Sequence, residues 1–245
     1  MRRTIRYAAL ALSLTSVVAA SSLKALQAQT PMTGTFITKL GKDTVAIEQY
    51  TRTEAGLVGD YVTREGRSVV NHYAVHFTAD GNPGHVILTQ TYADGSAIPG
   101  YPKGVQLTIG PTESVIEIDR DSIVTRKFEM SKTLPLLGTS FGMLELAFAR
   151  LRAQKVDSGA FPGLPLDSRV QPDPIPVRFF ATDSARVWTT DGAMYLRVDA
   201  TGKILGLSGR ATTQPFEARR VPTLDMKKLL ASLAATEAKG NSEKQ

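Results

Sequence analysis

Apolar and polar side chains alternate at every second residue through most of this chain. Gly41–Arg67 shows the pattern most clearly. Val45, Ile47, Gln49 and Thr51 point one way, and Thr44, Ala46, Glu48, Tyr50 and Arg52 the other. Thr53-Glu54-Ala55-Gly56 then turns the chain, and Leu57–Glu65 returns. A period of two belongs to a pleated strand with distinct faces. The same grammar predicts strands at Thr35–Leu40, Arg67–Thr78, His85–Tyr92, Val105–Ile109, Ser114–Asp119 and Ile123–Met130. Gly41-Lys42-Asp43 and Ala79–Gly84 supply the positive φ and side-chain bonds that tight connections need.

The period then changes. Phe141, Leu144, Leu146, Phe148 and Leu151 recur at mixed three- and four-residue spacing within Ser140–Gln154, which predicts a helix capped by Thr139 or Ser140. Residues 155–176 are rich in Pro, Gly, Asp and Ser and are expected to form a long loop. Strands resume at Val177–Thr182, Ala185–Thr189, Ala193–Asp199, Ile204–Arg210 and Phe216–Val221. Leu224–Ala238 is an amphipathic helix, and residues 239–245 are expected to be a disordered tail. The prediction is a mainly β fold: a curved antiparallel meander of roughly ten to twelve strands, half-barrel or barrel-like, with one central helix and a short C-terminal one. It forms one domain over residues 29–238, with strands across 35–130 and 177–221. The central helix is expected to cover the concave face with its Phe141, Leu144 and Phe148 stripe.

Composition changes this picture at the N-terminus. The formal charge of +6 suggests a polyanion partner, but Arg2, Arg3, Arg6 and Lys24 lie in the first 28 residues without any acid. Setting those four aside leaves 25 Lys and Arg against 23 Asp and Glu, a net +2, which argues against nucleic acid. The basic start and the apolar run Tyr7–Ala20 read as a signal peptide over residues 1–28, so the expected location is periplasmic or extracellular. The run falls short of a membrane-spanning length. The absence of cysteine removes disulfides, thiolate metal sites and a cysteine nucleophile.

Candidate chemistry centres on Glu48. With Leu40 paired to Thr44, Phe36 stands opposite Glu48; with Arg52 paired to Leu57, Tyr61 stands on its other side. One reading is a solvated outer face. The other is a carboxylate held among aromatic rings, with Tyr50 and Arg52 along the same face. That makes Phe36, Glu48, Tyr50, Arg52 and Tyr61 candidate ligand-binding residues. His72 and His76 are too far apart on one strand to grip one metal, whereas His76 and His85 are expected to be diagonal neighbours. Neither pairing makes a zinc site, so no metal or other cofactor is expected. Gly138-Thr-Ser-Phe-Gly142 has only the spacing of a nucleophile elbow, and no phosphate-binding loop is present. Trp188 and Phe179-Phe180 suit a core or a pocket wall.

Three runs carry a resemblance: Gly34–Arg52, Leu196–Gly206 and Phe216–Pro222. They resemble exported bacterial proteins of unknown function, a likeness that implies a fold and no catalytic set. The strand succession is also similar in architecture to periplasmic lipoprotein-carrier half-barrels, in which a curved sheet around a helix holds acyl chains. That likeness implies a lipid or other apolar ligand on the concave face. The alternatives are a structural or interaction module of the cell envelope with a protein partner, and a hydrolase on the same scaffold.

Overall fold

The computed structural model describes residues 31–64, 66–129, 134–138, 140–166, 173–189, 192–213 and 215–242. The expected signal peptide, residues 1–28, lies outside them. The described residues form fifteen strands in one sheet: β1 (Met32–Leu40), β2 (Asp43–Arg52), β3 (Gly56–Thr63), β4 (Val69–Phe77), β5 (Pro83–Tyr92), β6 (Gly104–Ile109), β7 (Ser114–Asp119), β8 (Ile123–Phe128), β9 (Leu134–Leu136), β10 (Ser158–Pro165), β11 (Asp173–Phe179), β12 (Ser184–Thr189), β13 (Gly192–Val198), β14 (Ile204–Thr212) and β15 (Glu217–Arg220). Helix α1 spans Phe141–Ala153 and α2 Met226–Ser242.

The sheet is two meanders joined at their first and last strands. Neighbouring strands follow chain order from β8 back to β1, then from β15 back to β9, with β1 and β15 antiparallel. Among the described residues the single parallel pair, β9 with β10, is the one that encloses α1 between its strands, as a parallel return requires a crossover. The sheet curls around α1. Phe141 through Phe148 and Leu151 are all buried, so the helix is enclosed on every side through this stretch and, Glu145 apart, presents apolar side chains as the plug of the barrel-like body.

The expected register holds where it matters. Phe36 pairs with Glu48, Glu48 with Tyr61 and Arg52 with Leu57. The first turn differs: a bulge between Thr38 and Lys39 puts Leu40 against Asp43 instead of Thr44. The expected loop over 155–176 is corrected by β10 and β11, which pair across Ser158–Arg178 to Gly163–Asp173. Their prolines, Pro162, Pro165, Pro174 and Pro176, sit near the end of the sheet, where missing ladder donors are tolerated. The expected tail from 239 is likewise shortened, since α2 continues to Ser242.

Helix α2 lies on the opposite, convex face. It covers Ile47, Val62 and Val70 with Met226, Leu229, Leu230 and Leu233. This explains why β2 and β3 carry buried apolar residues on their convex face at that level. Glu237 of α2 accepts a hydrogen bond from the Ser68 amide at 2.7 Å and fixes the far end of the helix.

Candidate functional site

Glu48 and Tyr50 of β2 face inward, against α1. Glu48 is 1% exposed. Its carboxylate accepts hydrogen bonds from Tyr73 Oη (2.6 Å), Ser140 Oγ (2.6 Å) and the amides of Phe141 and Gly142. Those two amides are among the donors that a helix start leaves unpaired. Ser140, the N-cap residue, makes no side-chain cap of its own. A strand carboxylate therefore caps the central helix from across the core, where the positive end of the helix dipole favours it. Burial pushes the Glu48 carboxyl above its ordinary range, while its hydroxyl and amide donors pull it back down.

One turn along α1, Glu145 repeats the arrangement. It accepts from Tyr50 Oη, from Arg220 and, at 2.6 Å, from the Ile204 amide. Arg220 also donates from Nε to the Ile204 carbonyl at 2.8 Å and from Nη2 to Tyr50 Oη at 3.0 Å. Its guanidinium lies 4.7 Å from the Phe36 ring centroid, and Phe36 stacks on Phe141 at 4.2 Å. Burial raises the Glu145 carboxyl, against the opposing charge of Arg220. The two tyrosines fit because glycines stand beside them. Gly34, Tyr50, Gly59 and Tyr73 are successive cross-strand partners on β1–β4. A Cβ on Gly34 or Gly59 would lie 2.3 or 2.5 Å from a tyrosine side chain.

Four of the five sequence candidates belong to this internal network or beside it. Phe36, Glu48, Tyr50 and Tyr61 are 0%, 1%, 1% and 8% exposed, so α1 occupies the space over them. The fifth, Arg52, opens onto a cleft of about 450 Å³ at one end of the body. Its walls come from the β2–β3 turn (Thr53, Glu54), the β4–β5 turn (Gly81) and the β13–β14 turn (Thr201, Gly202, Lys203). Met32, Phe77 and Ala149 give it an apolar lining, and Glu145 closes its floor. Arg52 lies 6.0 Å from the Phe77 ring centroid. Arg150, bound to the Gly81 carbonyl at 3.3 Å, is close enough for the charge of Arg52 to help burial lower its basicity. Gly202, at φ +89°, lets its turn lie against the backbone of Phe148 and Ala149, where a Cβ would have no room.

The cleft residue Lys203, its neighbour Arg150, and the network residues Glu145 and Arg220 were not found by sequence reasoning. Glu145 carried one usable signal: it falls inside the apolar stripe of α1 at i+4 from Phe141. The other candidates resolve as follows. Ser140 Oγ is spent on Glu48, and Ser140 is 2% exposed. His76 and His85 are direct cross-strand partners, not diagonal ones, with ring centroids 6.2 Å apart. His72 binds Asp60 at 2.6 Å on the convex face, and this bond raises its basicity. Phe179 is core and stacks edge-on with Phe148 at 5.9 Å, while Trp188 and Phe180 lie outside the core. Among the described residues, no cluster of three or more His, Cys, Asp or Glu side chains suits a metal, and no helix is long and apolar enough to cross a membrane.

No family model matches the chain, and no curated protein matches it by sequence. Solved structures do. A β-barrel-like protein of the domain of unknown function DUF1849 from Brucella abortus is similar with a TM-score of 0.51 at 8% identity, over 78% of this chain and 95% of that one. A DUF1089 family protein from Pseudomonas aeruginosa is similar with a TM-score of 0.49 at 10% identity, over 69% and 91%. The first likeness establishes a β-barrel-like fold shared with a protein of unknown function.

Proposed function

We propose that this protein is a binding module whose ligand is a small amphiphilic anion, such as a medium-chain carboxylate, held in the end cleft. The observation that carries this reading is the charge at the cleft. Arg52 lines it beside apolar Met32, Phe77 and Ala149, with Arg150 behind the wall in electrostatic range of Arg52 and Asp80, and among the described residues neither arginine has a carboxylate within 4.0 Å, the wall residue Glu54 included. Lys203 lines the opposite wall. Glu145 does not neutralise them, because Arg220 and Tyr50 already engage it. A volume of about 450 Å³ lies in the range of small-molecule sites.

This keeps the expected apolar ligand and moves it from the concave face to the end of the body. Arg52 keeps its proposed part, and Phe36, Glu48, Tyr50 and Tyr61 support the wall behind it. The interaction-module reading draws its support from the filled concave face. A hydrolase has the weakest support, since Ser140 is buried against a carboxylate and pairs with no histidine among the described residues. Export is part of the proposal and rests on the basic, apolar pattern of residues 1–28.

The test is a calorimetric titration with decanoate. Wild type is expected to bind, Arg52→Ala and Lys203→Ala each to weaken binding about tenfold, and Glu48→Gln to leave it within twofold. No heat with wild type would favour the interaction module, and equal affinity in all four proteins would remove the cleft from the proposal.

A further inference from the structure

The convex face of the second meander carries arginines that the fold does not use. Arg178, Arg186, Tyr195, Ser208 and Glu217 are successive partners across β11–β15, all on one face. Arg178 and Arg186 are directly opposed, an arrangement of like charges that costs stability in a sheet. Arg197 and Arg219 follow in the next row, flanking Gly206. Among the described residues none of these four arginines has a carboxylate within 4.0 Å. The nearby acids are engaged elsewhere. Glu217 pairs with Arg210 at 3.0 Å, Asp199 accepts from Thr201 and the Lys203 amide, and Asp183 accepts from Ser184. Arg186 Nε is buried without a hydrogen-bond partner among the described residues.

Aromatic rings are interleaved with these cations. The Arg186 guanidinium lies 4.5 Å from the Trp188 ring centroid and 5.3 Å from that of Tyr195, and Arg178 lies 5.4 Å from Phe180. Each guanidinium thus rests on a ring, which favours it through the ring quadrupole and leaves its N–H edge to meet an anion. The ring faces are occupied, so they are not offered to a stacked base or sugar. Phe180, Tyr195 and Leu205 remain 52%, 44% and 37% exposed. Unpaired arginines on a broad sheet face, with half-exposed aromatic and aliphatic side chains among them, match the headgroup layer of a bilayer. There phosphates meet the arginines and rings sit at the boundary.

We propose that the convex face of β11–β15 docks on an anionic phospholipid surface, with Arg178, Arg186, Arg197 and Arg219 on the phosphates and Trp188, Tyr195 and Phe180 at the headgroup level. This surface is separate from the end cleft and does not depend on what that cleft binds.

Trp188 is the only tryptophan of the chain, so its emission reports on this face alone. The purified protein is titrated with phosphatidylcholine vesicles containing about 30% phosphatidylglycerol, and with pure phosphatidylcholine vesicles, at low and high salt. A blue shift and co-sedimentation are expected only with the anionic vesicles, and both weaken with salt. Each arginine at such a surface is worth about fivefold in partitioning, so R178A/R186A is expected to lose about 20- to 30-fold. The same variant is expected to keep or raise its melting temperature, because it removes an opposed like-charge pair. R197A/R219A is a second variant that leaves the ring-stacked pair intact and is expected to weaken partitioning similarly. Arg120→Ala, on an exposed turn of the other meander, shows the effect of removing one positive charge away from this face. Absence of partitioning by wild type overturns the proposal. So does partitioning that falls as much with Arg120→Ala as with either double variant, or retention of polyuridylate or polygalacturonate without retention of vesicles.

Discussion

Glu48→Ala is the sharpest perturbation of this structure. The substitution strips an acceptor from four donors at once: Tyr73 Oη, Ser140 Oγ and the amides of Phe141 and Gly142. Each buried donor left unsatisfied costs about 1–3 kcal/mol. Ser140 recovers part of this, since a serine at the N-cap can turn its hydroxyl oxygen to its own helix. With two or three donors still stranded, the loss is about 3–6 kcal/mol, a large fraction of the stability of a typical domain. For a protein of this size it lowers the melting temperature by roughly 10–20 °C. The assay is thermal and urea denaturation followed by circular dichroism. Glu48→Gln keeps the volume and one acceptor oxygen, and is expected to lose less than half as much. A double-mutant cycle of Glu48→Ala with Tyr73→Phe should show coupling of about 0.5–3 kcal/mol, because the two side chains share one bond. A loss below about 1 kcal/mol for Glu48→Ala would refute the cap, since it would mean the donors find water or other partners.

Arg220→Ala leaves Glu145 buried without its counter-ion and is expected to cost about 3–5 kcal/mol in chemical denaturation. Arg220→Lys should not restore it, because the Ile204 carbonyl is met by Nε and Glu145 and Tyr50 by Nη2, a planar fork that a single ammonium nitrogen does not reproduce. Burial raises the carboxyls of Glu48 and Glu145 above their ordinary value of 4.5. A group of this kind binds its proton more tightly when folded. Its contribution to stability is present in full below 4.5 and is lost as pH rises through the folded value. Melting temperature should therefore decline from that pH upward, and Glu48→Gln should flatten the profile. Gly142→Ala gains about 1 kcal/mol of helix propensity. However, its Cβ would lie 3.0 Å from the Tyr50 ring and from Tyr73 Oη, and overpacking of about 1–3 kcal/mol makes the net effect neutral to destabilising in thermal melts.

Local order was legible in the sequence. The tight turns set the register, which is why the neighbours of Glu48, Phe36 and Tyr61, follow from counting residues. The period change at Ser140 located α1 to within one residue at either end. Two local errors have local causes: the bulge at Thr38 shifted the first turn, and the prolines of residues 155–176 concealed two paired strands. The inward direction of Glu48 was not legible. Alternation assigns residues to two faces and cannot say which one a helix 92 residues later will cover. Arg220 was equally hidden, as it sits in a four-residue strand whose neighbour is the first strand of the chain. Lys203 and Arg52 meet at the cleft only because two turns from different meanders close over the same end of α1. Contacts of this kind are set by how the sheet closes, and spacing along the chain does not record them.

The central claim is that α1 fills the concave face and leaves ligand binding to the end of the body. Amide mapping of the isotope-labelled protein with decanoate tests it most directly. Shifts are expected at Thr53, Gly81, Ala149 and Gly202, around the cleft, with Tyr61 and Asn71 unmoved. Shifts centred on Phe36, Glu48 and Tyr61, with the cleft amides silent, would contradict it and return the ligand to the space the helix occupies.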